Sequence, residues 1–315
     1  MSQDDSDAGG IGGRGEKVKN SSGKLKYYIS VVSAILLWSS SYIITKYAYT
    51  TFPPITLGAA RTVVAAIILF IIIKAGKKSE PIEKGDMKFL VFAGLFGVTL
   101  YFALQNMGIA YTTSSSAALI SGGYPAIIAI MEFMIYKRIP GKKTALGLVL
   151  AIIGVYLLST SGGGEIASNP LLGNALMLIA GIAWGAYNFI AKNINHKYTP
   201  LTITFYQMVF GGIFFVPLAF TEMHQWVKPT AISLGALLFL AVGCSILAFL
   251  LYNFGLKGLS ATATASMINV MPVAGLVLGV VVMHDPLLLK QIAGGAIVIL
   301  GVTMSSESGG EETAV

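Results

Sequence analysis

The chain has 315 residues, 55% hydrophobic and 11% charged, with a formal net charge of +7 and a single cysteine, Cys244. That balance excludes an ordinary soluble globular domain, in which the charged share is about twice as high. The lone cysteine excludes an intramolecular disulfide.

Residues 1–26 are rich in Gly, Ser, Asp and Lys and lack the apolar core of a signal peptide, so they are expected to be a disordered, retained tail. Gly10, Gly12 and Gly15 match the dinucleotide pattern GxGxxG. No strand precedes them and no βαβ helix follows, so the pattern carries no nucleotide site. Ten apolar segments come next, at approximately 27–48, 54–74, 88–109, 112–135, 143–160, 171–192, 200–220, 231–254, 259–283 and 288–305. Each is close to the ~20 residues a helix needs to cross a bilayer. Amides in hydrocarbon must bond within their own segment, so helices are predicted, and the alternating ~10-residue strands of a barrel do not occur. The fold class expected is an all-α integral membrane protein of ten transmembrane helices.

Basic residues fix the expected orientation. With the N-terminus cytoplasmic, 17 of the 21 lysines and arginines fall on the inner side, Lys46, Lys228 and Lys290 on the outer side, and Arg61 within a helix. Both termini are then cytoplasmic, and the location is the plasma or inner membrane.

The stretch from Ala34 to Lys46 recurs from Ala180 to Lys192: Trp38, Lys46 and Pro54 match Trp184, Lys192 and Pro200 at an offset of 146. After one inserted residue the match resumes at 147, pairing Asn106, Gly108, Pro125, Gly147 and Gly154 with Asn253, Gly255, Pro272, Gly294 and Gly301. Each half holds five segments, an odd number, so the second half enters the bilayer from the opposite side. The predicted units are a five-helix repeat over 27–160, an outer linker over 161–170, an inverted repeat over 171–305 and a cytoplasmic tail over 306–315. Inverted repeats build many secondary transporters.

These doubled motifs, with the WxxxxxxxK pattern of segments one and six, resemble the EamA-type drug/metabolite transporter superfamily. The resemblance implies a central cavity lined by segments 1, 3, 4, 6, 8 and 9, and movement of small organic solutes such as amino acids or related metabolites, often outward. Members commonly carry Glu just after the fourth and ninth segments; Arg138 and Asp285 stand there in this chain.

Trp38 and Trp184 lie mid-segment, away from the interfacial depth of anchoring tryptophans, and are candidate cavity walls. Ser41, Tyr42, Tyr187 and Asn188 flank them with groups suited to a polar ligand, although small serines also serve close helix packing. Pro125 and Pro272 are read as mid-helix prolines that free the carbonyls of Ser121 and Ile268, with Tyr124 and Asn269 beside them as further binding candidates. Tyr101, Gln105, Asn106, Tyr252 and Asn253 are placed nearer the segment ends, where Asn106 and Asn253 would serve as gates; Tyr101 is also kept as a substrate contact. Two charges within segments are coupling or gate candidates. Arg61 could take a substrate carboxylate or hold backbone carbonyls, and Glu132 could snorkel to Lys137.

Membrane enzymes need convergent titratable groups, which the segments lack. A phosphate exchanger needs several cations within the second-half segments, and none is there. No cofactor, metal site or nucleic-acid partner is expected; the partners are the small solute and the lipid, and a homodimer is left open.

Overall fold

The computed structural model describes residues 12–76, 78, 80–111, 120–121, 123–137, 141–159, 169–271, 273–274 and 289–308. Among them all regular structure is helical. Helix α1 is Gly12–Ala48 and α2 is Pro54–Ala75. Helix α3 joins Met87–Gly94, a π-helical turn Leu95–Leu100 and Tyr101–Tyr111. Helices α4, α5 and α6 are Tyr124–Tyr136, Lys142–Ser159 and Pro170–Ile194. Helix α7, Pro200–Ala219, runs into a 3-10 turn Phe220–Gln225. Helix α8 joins Ala231–Phe239, a second π-helical turn Leu240–Leu247 and Ala248–Gly258. The described part of α9 is Ala261–Ser266 with the 3-10 turn Met267–Asn269, and α10 is Leu289–Ser308.

The helix starts follow local chemistry. Prolines occupy the first turns of α2, α6 and α7, where their missing amide would be unpaired anyway. Asn169, Thr199 and Thr230 accept the backbone N–H groups of Leu172, Thr202 and Ser233, satisfying donors that a helix leaves open. Two expectations change. Helix α1 begins at Gly12, ahead of residue 27, because the polar stretch has no proline and each residue added to an existing helix gains a hydrogen bond. Pro125 does not kink a continuous helix: Gly123 is a turn, and Pro125 sits in the first turn of α4, where it displaces no helical bond.

Five described helices are long and apolar enough to cross a membrane: Pro54–Ala75, Met87–Gly108, Pro170–Ile194, Pro200–Gln225 and Ala231–Gly258. Their packing has the two-fold relation that inverted repeats require. Helix α1 lies along α8 as α6 lies along α3, while α2 pairs with α7 and α5 with α10. The match extends to single residues. A Cβ on Gly108 would meet the Met177 side chain at 2.9 Å and the Gly173 carbonyl at 3.2 Å; one on Gly255 would meet Val31 and the Tyr27 carbonyl, the equivalents at offset 146. In the α5–α10 crossing Gly147 faces Gly301 and Gly154 faces Gly294, so one contact is the image of the other and the helices run antiparallel. Glycine is required there because a Cβ on Gly154 would lie 2.7 Å from the Gly294 carbonyl.

Polar ties close both ends of the bundle. At the lysine-rich end, where α2 and α6 finish, Lys197 Nζ contacts Asp86 Oδ2 at 2.9 Å and the Tyr198 hydroxyl donates to the same oxygen at 2.8 Å. Glu80 there accepts the Thr199 N–H and hydroxyl, both at 3.0 Å, capping α7. At the opposite end Glu222, just after α7, accepts the Ile55 and Thr56 N–H groups at 3.1 and 2.7 Å, capping α2. The Thr51 hydroxyl donates to Ser233 at 2.7 Å. Thr51 and Ser233 are the repeat equivalents of Lys197 and Asp86, at offsets of 146 and 147.

Candidate functional site

The two repeated tryptophans meet. Their ring centroids are 5.6 Å apart at an interplanar angle of 82°, an edge-to-face pair. Helices α1 and α6 deliver one ring each. Helices α3 and α8 supply the surround: Tyr101 lies 4.7 Å from Trp184, and Phe249 and Tyr252 lie 5.4 and 5.2 Å from Trp38. Tyr187 completes the cluster 4.9 Å from Trp184. Tyr101 and Tyr252 are thus central, not near the ends, because α3 continues about three turns and α8 about two turns beyond them.

Both α3 and α8 carry their π turns just before these rings, at equivalent positions of the two halves. Such insertions are rare and recur at functional sites. The Trp38 indole N–H donates to the Cys244 carbonyl in the α8 turn at 2.9 Å. Trp184 does not repeat this bond: its Nε1 is buried beside the Tyr252 hydroxyl and Gln207 Nε2 beside the Tyr187 hydroxyl, neither in a well-aligned hydrogen bond, and both amide atoms of Asn269 are buried without a partner among the described residues. Unpaired buried polar atoms cost ~1–3 kcal/mol each.

Other polar groups are already engaged. The Tyr252 hydroxyl donates to Asn188 Oδ1 at 2.6 Å, and Asn188 Nδ2 donates to the Trp184 carbonyl at 2.7 Å. The Tyr187 hydroxyl donates to Asn253 Oδ1 at 3.0 Å, and Asn253 is fully buried. Asn106 does reach the bundle end, donating to the Pro54 carbonyl at 3.1 Å. Ser39, Ser40 and Ser41 donate to the carbonyls of Ile35, Leu37 and Trp38 on their own helix, as packing serines do. Tyr124 packs against Gly181 and donates to the Met177 carbonyl, so it braces α4 on α6 at the cluster edge. Ser39 also donates to the Met271 carbonyl at 3.3 Å, bringing the α9 segment that carries Asn269 next to Trp38. Tyr42 is helical, without a described side chain; Pro272, Arg138 and Asp285 lie outside the described residues.

The charges divide. Arg61 is 8% exposed, with its guanidinium 3.9 Å from the Phe102 ring centroid. Glu132 lies near enough to Lys192 to act on its charge. The lysine that ends α6 has a plain structural use: Lys192 Nζ donates to the Leu256 and Leu259 carbonyls at 2.9 and 2.5 Å, capping the C-terminus of α8. Phe102 and Phe249 were missed in the sequence, although they stand at offset 147 and the repeat that picks out the tryptophans picks them out too.

Comparison with known proteins matches the EamA-like transporter family over residues 25–160 and again over 171–306, two copies 146 residues apart. The chain belongs to the EamA-like transporter family. It is 30% identical over 288 residues to the uncharacterized transporter YyaM of Bacillus subtilis, covering 90% of this chain and 94% of that one. The uncharacterized transporter YetK of the same organism is 27% identical, covering 87% and 85%. A solved structure described only as "Crystal structure of protein" superposes with a TM-score of 0.74 at 17% identity, covering 89% of this chain and 98% of that one. An EamA-like chain of this kind is a multi-pass membrane transporter and not an enzyme.

Proposed function

We propose that this EamA-like protein is a secondary transporter that carries a small organic solute, as an exporter, by alternating access about the aromatic cluster, through ten spans with both termini cytoplasmic. One observation carries the reading: equivalent tryptophans from the two inverted halves meet in a single cluster, so the site lies where the halves must move against each other. The polar ties at both ends of the bundle support it, since a carrier needs closures on each side of its site. Amino acids and related metabolites form the first panel to test. In proteoliposomes saturable uptake with counterflow is the expected result. Conductance that rises linearly with solute and shows no counterflow would replace the carrier by a channel.

A further inference from the structure

The two halves differ at one edge of the cluster. In α6, α7 and α8 a network joins three helices: Tyr187 donates to Asn253, whose Nδ2 donates to Gln207 Oε1 at 3.0 Å and Thr204 Oγ1 at 3.1 Å. The repeat equivalents in α1, α2 and α3 are Ser41 for Tyr187, Arg61 for Gln207 and Asn106 for Asn253. No network joins them. Ser41 lacks the ring and bonds its own helix, Asn106 bonds the Pro54 carbonyl, and Arg61 makes no hydrogen bond or ion pair with any described residue. The ionisable side chains its charge acts on are Cys244, Tyr49 and Tyr101, none of them a carboxylate. Phe102, beneath the guanidinium, contacts Tyr101 and Phe249 at 4.8 and 6.4 Å and so joins the ring cluster.

We propose that Arg61 anchors the carboxylate of a small monocarboxylic solute, whose flat apolar body takes the place that the Tyr187 ring fills in the other half. A guanidinium presents five N–H donors in a fixed fork that matches a carboxylate with two parallel bonds. With one face on Phe102, the donors at its edge are what remain to be paired. A buried cation without a partner is costly in a bilayer, and a bound anion removes that cost. The rings favour a planar body. Within the ring cluster no described Asp or Glu is present to receive an ammonium group, so a monocarboxylate fits better than a zwitterion.

The inference rests on the transporter reading for its site, yet it is tested by binding. The purified full-length protein is titrated with benzoate, phenylacetate and 3-phenylpropionate, and with their uncharged amides, reading indole fluorescence and unfolding midpoint. At least one acid is expected to bind saturably, about tenfold or more tighter than its amide, as charged hydrogen bonds give. Arg61→Gln should abolish that preference, and Arg61→Lys should keep part of it, as a point charge without the fork. Equal binding of acid and amide by the parent, or no binding of any acid, overturns the proposal without a variant, so a misfolded Arg61→Gln cannot shelter it. Acid binding without flux in proteoliposomes would leave the arginine site standing and remove the transport reading; flux that ignores the acid group would do the reverse.

Discussion

Trp38 and Trp184 are equivalent in sequence and unequal in bonding. The Trp38 N–H is held by the Cys244 carbonyl, whereas the Trp184 N–H is buried beside the Tyr252 hydroxyl without a well-aligned bond. Trp38→Phe should therefore lower the unfolding midpoint, by the ~1 kcal/mol of a lost hydrogen bond. Trp184→Phe should leave the midpoint at the parent value and raise the KM for flux. Equal destabilisation by both changes would make both rings packing residues. The doubled tryptophan was legible because a repeat offset is a property of the sequence alone. The difference between the two N–H groups was not, because it depends on where the α8 π turn presents a carbonyl.

At the scale of helices, the crossing of α5 and α10 leaves no room for a side chain. Gly301→Leu would drive atoms into the Ala151 and Gly147 backbone, and overpacking of this kind costs ~1–3 kcal/mol or more. The unfolding midpoint in micelles should fall, while Gly235→Ala, with open space around its site, should keep or raise it. A rise for Gly301→Leu would show that the crossing is loose. The spaced glycines were readable as a pattern, but which glycine faces which required the antiparallel packing. Pro125 was misplaced for a related reason: a proline within an apolar run looks the same at a kink as at a new helix start. The π turns of α3 and α8 had no sequence signal, since winding with an extra residue follows from packing rather than composition.

For the whole molecule, the inverted repeat fixes a topology that labelling can test. A cysteine introduced at Lys84, in a Cys244→Ala background, should react with an impermeant reagent only after permeabilisation. One at Gln225, at the opposite end of the bundle, should react from outside. The reverse result would invert the orientation while leaving the fold unchanged. The doubling of the chain was legible because 146 and 147 recur across it; the end ties were not, since they join loops distant in sequence.

In the proposed alternating-access cycle, symmetric repeats alone would make the two end-open forms equally populated, and unlike end ties would remove that equality. Hydrogen bonds from Lys197 and Tyr198 hold the Asp86 carboxyl below its usual range, while the bond to Asp86 raises the Lys197 ammonium. The Asp86 contribution is thus complete above the ordinary carboxylate range and lost as pH falls through the lowered value; the Lys197 contribution is complete below the ordinary lysine range and lost as pH rises through the raised one. The Thr51–Ser233 pair at the other end titrates at neither extreme and carries no charge for salt to screen. Because the opposite end is tied by a carboxylate as well, Glu222 on the Ile55 and Thr56 N–H groups, the two ends are told apart by a change at Asp86 alone, and Asp86→Asn should favour the form open at the lysine-rich end. Amide exchange at 80–90 should accelerate in Asp86→Asn at neutral pH while that at 49–56 stays at the parent rate; equal acceleration at both ends would show that the Asp86 tie does not set the bias. On the proposed cycle, two nearly interchangeable halves would thereby acquire a resting bias from a single unlike pair of ties.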